Sequence, residues 1–133
     1  LLFGGIRNES LLEEIPVSYT YLGKIDSAKV KEVYSHADVV LSSSHYETLP
    51  GTLIEGLASG CVAVTYGNGG QADIVEHMAT GYIAQYKSAE DFAKGIEWAA
   101  NVDINRDSLH AEMEKRFSAA SVVSRYLNYL RSL

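Results

Sequence analysis

The chain has 133 residues, of which 47% are hydrophobic and 21% are charged, and these values are typical of a single soluble globular domain. Its formal net charge of −6 argues against non-specific nucleic-acid binding, which requires a basic surface. No apolar run approaches the roughly 18 residues of a membrane span, no signal peptide is expected, and the single cysteine, Cys61, excludes an internal disulfide. These features favour a cytoplasmic protein.

The chain alternates predicted helices and strands. In chain order these are a weak helix over 10–15, a strand over 17–22, a helix from Ser27 to about Ala37, a strand over 38–42, a helix from Pro50 to Ser59, a strand over 61–65, a short helix from Gln71 to about His77, a strand over 82–85, and helices over 88–100, 107–117 and 119–131. Ser88 suits the N-cap of its helix, and Gly60 suits the end of the helix that begins at Pro50. After Ser88, Phe92, Ile96 and Ala99 recur at helical spacing.

Strands that are apolar on both faces and alternate with helices are typical of a parallel sheet covered on both sides. The predicted fold class is therefore α/β, a Rossmann-like open parallel sheet with helices on both faces. Right-handed crossovers place the loops after the strands at the carboxyl edge of such a sheet, where ligands bind. The loop that carries Glu47 and the Gly-rich loop over 67–70 follow consecutive strands, so both are expected to face one crevice.

Two carboxylates, Glu47 and Glu55, flank a Pro50–Gly51 corner. Proline suits the first turn of a helix, so Glu47 is placed in the loop before the helix and Glu55 about 6 to 8 Å beyond the helix start. The free N–H groups and positive dipole of a helix start suit a phosphate. Together these groups suit a nucleotide-sugar, which has hydroxyls at both ends and charge in the middle. The helix dipole alone also favours acids in the first turns, which is a structural explanation of the pair.

A series of short motifs follows the order of a known family. The motifs are Tyr21-Leu-Gly-Lys-Ile-Asp26, Val33-Tyr-Ser-His-Ala-Asp-Val-Val40, Ser42-Ser43-Ser44, Glu47-Thr-Leu-Pro-Gly-Thr-Leu-Ile-Glu55-Gly-Leu-Ala-Ser-Gly60, Val62-Ala-Val-Thr65, Gly69-Gly70-Gln-Ala-Asp73-Ile-Val and Thr80-Gly81-Tyr-Ile. Over roughly residues 17 to 100 the chain closely resembles the donor-binding half of retaining glycosyltransferases of family 4, also called group 1. Those enzymes have the two-domain GT-B architecture, and the resemblance implies that this chain is part of its C-terminal half.

The resemblance implies roles for individual residues. Glu47 matches the first family glutamate, which contacts hydroxyls of the donor sugar near the reacting centre, and it is the implied catalytic residue. Glu55 matches the second, which holds the ribose hydroxyls of the nucleotide. The other implied donor-binding residues are Leu49, Pro50, Gly51 and Thr52, whose backbone faces the sugar and diphosphate, and Gly69 and Gly70, in a loop beside the donor.

The resemblance also implies parts that are absent from these 133 residues. Family members carry an Arg and a Lys that neutralise the diphosphate, in a segment expected upstream of Leu1, and an N-terminal acceptor domain. Residues 1–133 are therefore expected to be a single nucleotide-sugar-binding domain, a fragment of a longer enzyme that lacks the acceptor domain and the start of this one. Two local departures are Thr48-Leu49, where many members have Gly-Phe, and Asp73, where glutamate is usual.

The implied reaction moves a sugar from a nucleotide-sugar, UDP- or GDP-linked, to an acceptor hydroxyl with retention at the anomeric carbon. The acceptor is expected to be a glycan or a lipid, as in polysaccharide biosynthesis, and to bind the missing domain. The full-length protein could then associate peripherally with a membrane. His36, His45, His77 and His110 show no metal-ligand spacing, so neither a metal nor a further cofactor is expected. The fragment itself is expected to be inactive.

Other functions are compatible with parts of the sequence. A nucleotide-sugar epimerase or a sugar phosphorylase shares the expected sheet and crevice, although the Glu47–Glu55 segment favours a transferase. A non-catalytic α/β binding module is a further alternative. One such module, a signalling receiver, needs clustered acids after its first strand, and residues 1–5 have none. The apolar residues Val122, Val123, Tyr126 and Leu130 recur at helical spacing in the last helix, and this face either packs on the sheet or allows the fragment to self-associate.

Overall fold

A computed structural model describes all residues, 1–133, and divides them into two compact units, Leu1–Val33 and Tyr34–Leu133. The first unit contains helix α1 (Ser10–Glu13) and nearly all of helix α2 (Ser27–Ser35). The second unit contains every strand and all the remaining helices.

The strand predicted over 17–22 is not formed in the first unit. Only Tyr21 pairs there, in an isolated parallel bridge with Leu2. The Leu2 amide donates to the Thr20 carbonyl at 2.8 Å and the Leu22 amide to the Leu2 carbonyl at 2.9 Å. The contact extends to the Gly4 amide, which donates to the Gly23 carbonyl at 2.8 Å, and Gly4 has a φ of +108°, a conformation that favours glycine. These few bonds do not form a regular strand.

The second unit is built on a parallel sheet. Its elements are β1 (Val39–Ser42), α3 (Gly51–Ala58), β2 (Val62–Tyr66), α4 (Gln71–Ile74), β3 (Gly81–Ala84), α5 (Ala89–Asn101), α6 (Arg106–Phe117) and α7 (Ala119–Arg131). The strand order is β1-β2-β3, with Val39 opposite Val62 and Ala63 opposite Gly81. Every residue of the central strand β2 is buried, as expected for a strand with covered faces.

Helices cover both faces of this sheet. On one face α3 approaches β1 so closely that a Cβ on Gly56 would lie 2.6 Å from a methyl carbon of Val40. On the other face α5 packs on β2 and β3, where a Cβ on Gly95 would lie 2.6 Å from the ring of Tyr82 and 2.9 Å from Val64. The α/β prediction of an open parallel sheet with helices on both faces is therefore confirmed. None of the helices is long and apolar enough to cross a bilayer.

Candidate functional site

Helix α3 begins at the carboxyl edge of the sheet with open backbone amides. Its N-cap is Pro50, whose ψ of 100° is extended and whose side chain makes no capping bond. The Pro50 carbonyl accepts the first bonds of the helix, from Leu53 at 3.1 Å and Ile54 at 3.4 Å. The amides of Gly51 and Thr52 precede these bonds on exposed residues. They leave the helix start able to donate to an anion.

The two glutamates lie on either side of this helix start. Glu47 is half-buried in the loop between β1 and α3, and Glu55 is exposed on α3 itself. Neither carboxylate is engaged in an ion pair. Both are therefore available to accept hydrogen bonds from ligand hydroxyls.

Tyr34 supports the first turn of α3 from within the unit. Its hydroxyl donates to the Thr52 carbonyl at 3.2 Å, and its side chain is almost completely buried. Burial, and secondarily the negative charge of Glu55 and then of Cys61, raises the pKa of Tyr34 to about 12. The hydroxyl therefore stays protonated and able to donate at neutral pH.

The Gly-rich loop after β2 touches the loop that carries Glu47. Gly69 forms an isolated parallel bridge with Glu47, and the Gly70 amide donates to the Glu47 carbonyl at 2.7 Å. Gly69 has a φ of +99°, a conformation that favours glycine. At Gly70 a Cβ would lie 1.9 Å from the Thr48 carbonyl oxygen. The structure thus brings Glu47, the α3 start, Gly69 and Gly70 to one edge of the sheet.

Two further residues that the sequence did not single out join these loops. Asn68 donates from Nδ2 to the His45 carbonyl at 2.8 Å, and Gln71 donates from Nε2 to the Ser44 carbonyl at 3.1 Å. Gln71 is fully buried. In the sequence these two polar residues flank two glycines at the expected carboxyl edge of the sheet, which could have marked them as functional. Their hydrogen-bond partners could not be predicted, because they lie more than twenty positions away.

A cavity of about 470 Å³ opens beyond this loop, beside β3. Tyr82 and Tyr86 contribute aromatic surface, and the exposed ring of His45 lies 5.6 Å from that of Tyr86. Asp91 lines the cavity, but it accepts from the Gln85 amide at 2.7 Å and from the Tyr82 hydroxyl at 3.2 Å. The first of these bonds, more than the second, holds the pKa of Asp91 below its usual range. Asp91 is therefore ionised, and its carboxylate oxygens are used in hydrogen bonds that stabilise the turn before α5.

The arginines of α6 are committed to contacts within the fold. Arg116 donates to the carbonyls of Asp73 and Ile74, and Arg106 pairs with Asp38. These two arginines therefore do not supply free cations to a phosphate at the α3 start. No group of three or more His, Cys, Asp or Glu side chains is arranged to hold a metal ion.

Comparisons with known proteins agree on one family. Residues 5–118 match the sequence model of the family described as glycosyl transferases group 1. Over 128 residues the chain is 32% identical to a 2-deoxystreptamine N-acetyl-D-glucosaminyltransferase of Niallia circulans, with 92% of this chain and 32% of that protein aligned. A shorter alignment, 30% identical over 77 residues, joins it to the uncharacterized glycosyltransferase MJ1607 of Methanocaldococcus jannaschii, covering 58% of this chain and 20% of that protein.

Solved structures show the same fold. Anabaena Alr3699/HepE in complex with UDP and glucose superposes with a TM-score of 0.78 at 18% identity, covering 99% of this chain and 40% of that one. The apo lipopolysaccharide outer core galactosyltransferase WaaB gives 0.83 at 18% identity, covering 98% and 39%. The fold is that of a domain of GT-B glycosyltransferases. The chain spans 20% to 32% of the length of the curated relatives it matches.

Proposed function

Because the chain belongs to the group 1 glycosyl transferases, we propose that it binds the nucleotide-sugar donor of a retaining transferase of family 4. The observation that carries this proposal is the order of groups along one edge of the sheet. Glu47 stands before the helix start, the amides of Gly51 and Thr52 lie at it, and Glu55 follows within α3. A sugar, a diphosphate and a ribose occur in the same order in a nucleotide-sugar.

In the proposed complex each end of the donor meets a carboxylate. Glu47 accepts hydrogen bonds from the sugar hydroxyls and orients the anomeric carbon without acting as a covalent nucleophile. Glu55 accepts from the ribose hydroxyls. The backbone of Leu49 and Pro50 and the glycines Gly69 and Gly70 bound the space between. Solved complexes of Anabaena Alr3699/HepE hold UDP, UDP and glucose, or UDP-glucose, which supports a UDP-linked donor, with GDP as the alternative base.

The main chemical task of such a site is to stabilise the departing nucleoside diphosphate. Negative charge grows on the phosphate as its bond to the sugar breaks, and preorganised amides at a helix start stabilise that charge. In other enzymes one well-placed donor of this kind contributes about 3 to 4 kcal/mol. No metal or further cofactor enters this proposal. The remaining neutralising charges come from an Arg and a Lys upstream of Leu1.

We further propose that residues 1–133 are one part of a longer enzyme. Another domain supplies the acceptor, a glycan or a lipid, and with it any peripheral contact with a membrane. The acceptor hydroxyl attacks the sugar in the cleft between that domain and this one. The isolated chain therefore binds donor without transferring it, in a cytoplasmic enzyme of polysaccharide biosynthesis.

A titration of the ¹⁵N-labelled chain with UDP and with GDP tests the proposal. The expected result is saturable chemical-shift change at the amides of residues 51–55, with smaller changes at Gly69 and Gly70. Glu55→Ala is expected to weaken nucleotide binding, because it removes the acceptor for the ribose hydroxyls. Glu97→Ala, an exposed glutamate on α5, is the matched control and is expected to bind like the wild type. Shifts confined to other regions, or equal binding by both variants, would contradict the assigned site.

A further inference from the structure

Three hydrogen bonds join the loop after β2 to the loop that carries Glu47, and we call them the interloop bonds. They run from Asn68 Nδ2 to the His45 carbonyl at 2.8 Å, from the Gly70 amide to the Glu47 carbonyl at 2.7 Å, and from Gln71 Nε2 to the Ser44 carbonyl at 3.1 Å. Three of the four carbonyls in residues 44–47 are therefore held by one neighbouring segment. The backbone that presents Glu47 is fixed from outside its own loop.

The side chains of Asn68 and Gln71 are turned toward the other loop. Backbone carbonyls only accept hydrogen bonds, so the amide nitrogen of each side chain must face its partner. Gln71 is fully buried, and its Oε1 has no hydrogen-bond partner. Burying an unpartnered amide oxygen is unfavourable. Local stability is therefore a poor explanation for a glutamine at this position, whereas holding the Ser44 carbonyl is a good one.

The interloop bonds act at close range. With the Cβ position of Gly70 only 1.9 Å from the Thr48 carbonyl oxygen, the two backbones are already in contact. Losing a bond from Asn68 or Gln71 frees the residues just before Glu47 without touching its side chain. Glu55 is placed by α3, which does not take part in these bonds.

We propose that Asn68 and Gln71 are positioning residues for Glu47. They fix the backbone of residues 44–47 and so hold the Glu47 carboxylate where the hydroxyls of the donor sugar bind. This role rests on the proposed function, in which Glu47 meets the sugar and Glu55 meets the ribose. The positioning role predicts that loss of an interloop bond lowers the affinity for the sugar part of the donor and leaves the affinity for the nucleotide unchanged.

The test compares dissociation constants of UDP, UDP-glucose and UDP-N-acetylglucosamine, measured by NMR titration of the chain. For whichever of the two sugar nucleotides the wild type binds more tightly, Asn68→Ala is expected to raise the dissociation constant by about fivefold, the equivalent of one lost neutral hydrogen bond. The dissociation constant of UDP is expected to stay at the wild-type value. Gln71→Met is expected to give the same sugar-specific loss without lowering Tm, because it also removes the unpartnered oxygen. Asn101→Ala is the matched control, since Asn101 makes the same kind of bond, Nδ2 to the Glu97 carbonyl at 2.7 Å, on α5.

A double substitution separates positioning from general packing. In a Glu47→Gln background, Asn68→Ala is expected to cause no further loss of sugar-nucleotide affinity, because both changes act on one contact. A wild-type chain that binds neither UDP nor GDP overturns the proposed function itself, and one that binds only GDP is tested in the same way with GDP-linked sugars. If UDP binds but Asn68→Ala and Gln71→Met weaken UDP and UDP-sugars equally, or weaken neither, the positioning role is wrong and the proposed function stands. A wild type that binds both sugar nucleotides no better than UDP also overturns the positioning role.

Discussion

Gly70 is the residue at which the two loops of the candidate site come closest. A methyl group there has no room, because its carbon would lie 1.9 Å from the Thr48 carbonyl oxygen. Gly70→Ala is expected to push the loops apart and to lower the free energy of unfolding by about 1 to 3 kcal/mol, the usual cost of overpacking. Urea unfolding of the variant measures this change.

Gly51 provides a control for that substitution within the same site. Nothing lies within 4 Å of a Cβ built on Gly51, which occupies the first position of α3. Because alanine is the better helix former, Gly51→Ala is expected to raise the free energy of unfolding by about 0.5 to 1 kcal/mol. If the two variants unfold at the same urea concentration, the close approach at Gly70 does not exist in solution.

Single residues were predictable where they depend on local geometry. Glu47 and Glu55 lie in the loop and on the helix as expected, because proline and glycine fix where α3 begins and ends. The contacts of Asn68 and Gln71 were not predictable, because a hydrogen bond between a side-chain amide and a remote backbone carbonyl produces no recognisable residue pattern in the sequence. The roles assigned to the donor-binding residues stay predictions.

At the scale of elements, a side-chain hydrogen bond caps the N-terminus of α5. Ser88 accepts from the Asp91 amide at 3.1 Å, which confirms the predicted N-cap. Ser88→Ala is expected to lower the free energy of unfolding by about 1 kcal/mol, the usual value of such a cap. Ser132→Ala is the matched control, since Ser132 follows α7 and its hydroxyl donates to a carbonyl instead of capping amides. Thermal unfolding should separate the two variants, and equal Tm values would contradict the capping role.

Elements were predictable where apolar runs and capping residues coincide. The three strands of the sheet and helices α3, α5, α6 and α7 fall within one or two residues of their predicted bounds. Helix α4 ends at Ile74 instead of about His77, because Val75 is extended, with a ψ of 127°, and His77 bridges to Gly81.

The buried face of α5 was predicted less well. Ile96 was placed on the same apolar stripe as Phe92 and Ala99, yet it is 37% exposed. Gly95 is buried in its place, against Tyr82 and Val64. A glycine allows the helix to approach the sheet closely, which turns the next side chain toward solvent. The spacing of apolar residues could not predict this arrangement, because it does not include glycine among the buried positions.

At the scale of the whole molecule, the apolar face of α7 is uncovered. The exposed residues are Val122, Val123, Tyr126, Leu127, Tyr129 and Leu130. The alternative in which this face packs on the sheet is therefore wrong, and the chain in isolation is expected to self-associate at high concentration. Leu127→Lys is expected to shift the sedimentation profile toward monomer, whereas Asn128→Lys, which adds the same charge on the polar side of α7, is not. A wild type that sediments as a monomer at all concentrations would contradict this expectation.

The rigidity of α3 has a consequence for which ligands can fit. Glu55 lies four positions after Gly51, and an α-helix turns that offset into a fixed rise of about 6 Å along its axis. With the proposed contacts, the distance from phosphate to ribose is set by the helix and the distance from phosphate to sugar by the loop. A sugar joined to its nucleoside through one phosphate is shorter by one phosphate group, so we expect it to reach only one of the two carboxylates. On the proposed contacts, donors are therefore selected by length as well as by chemistry.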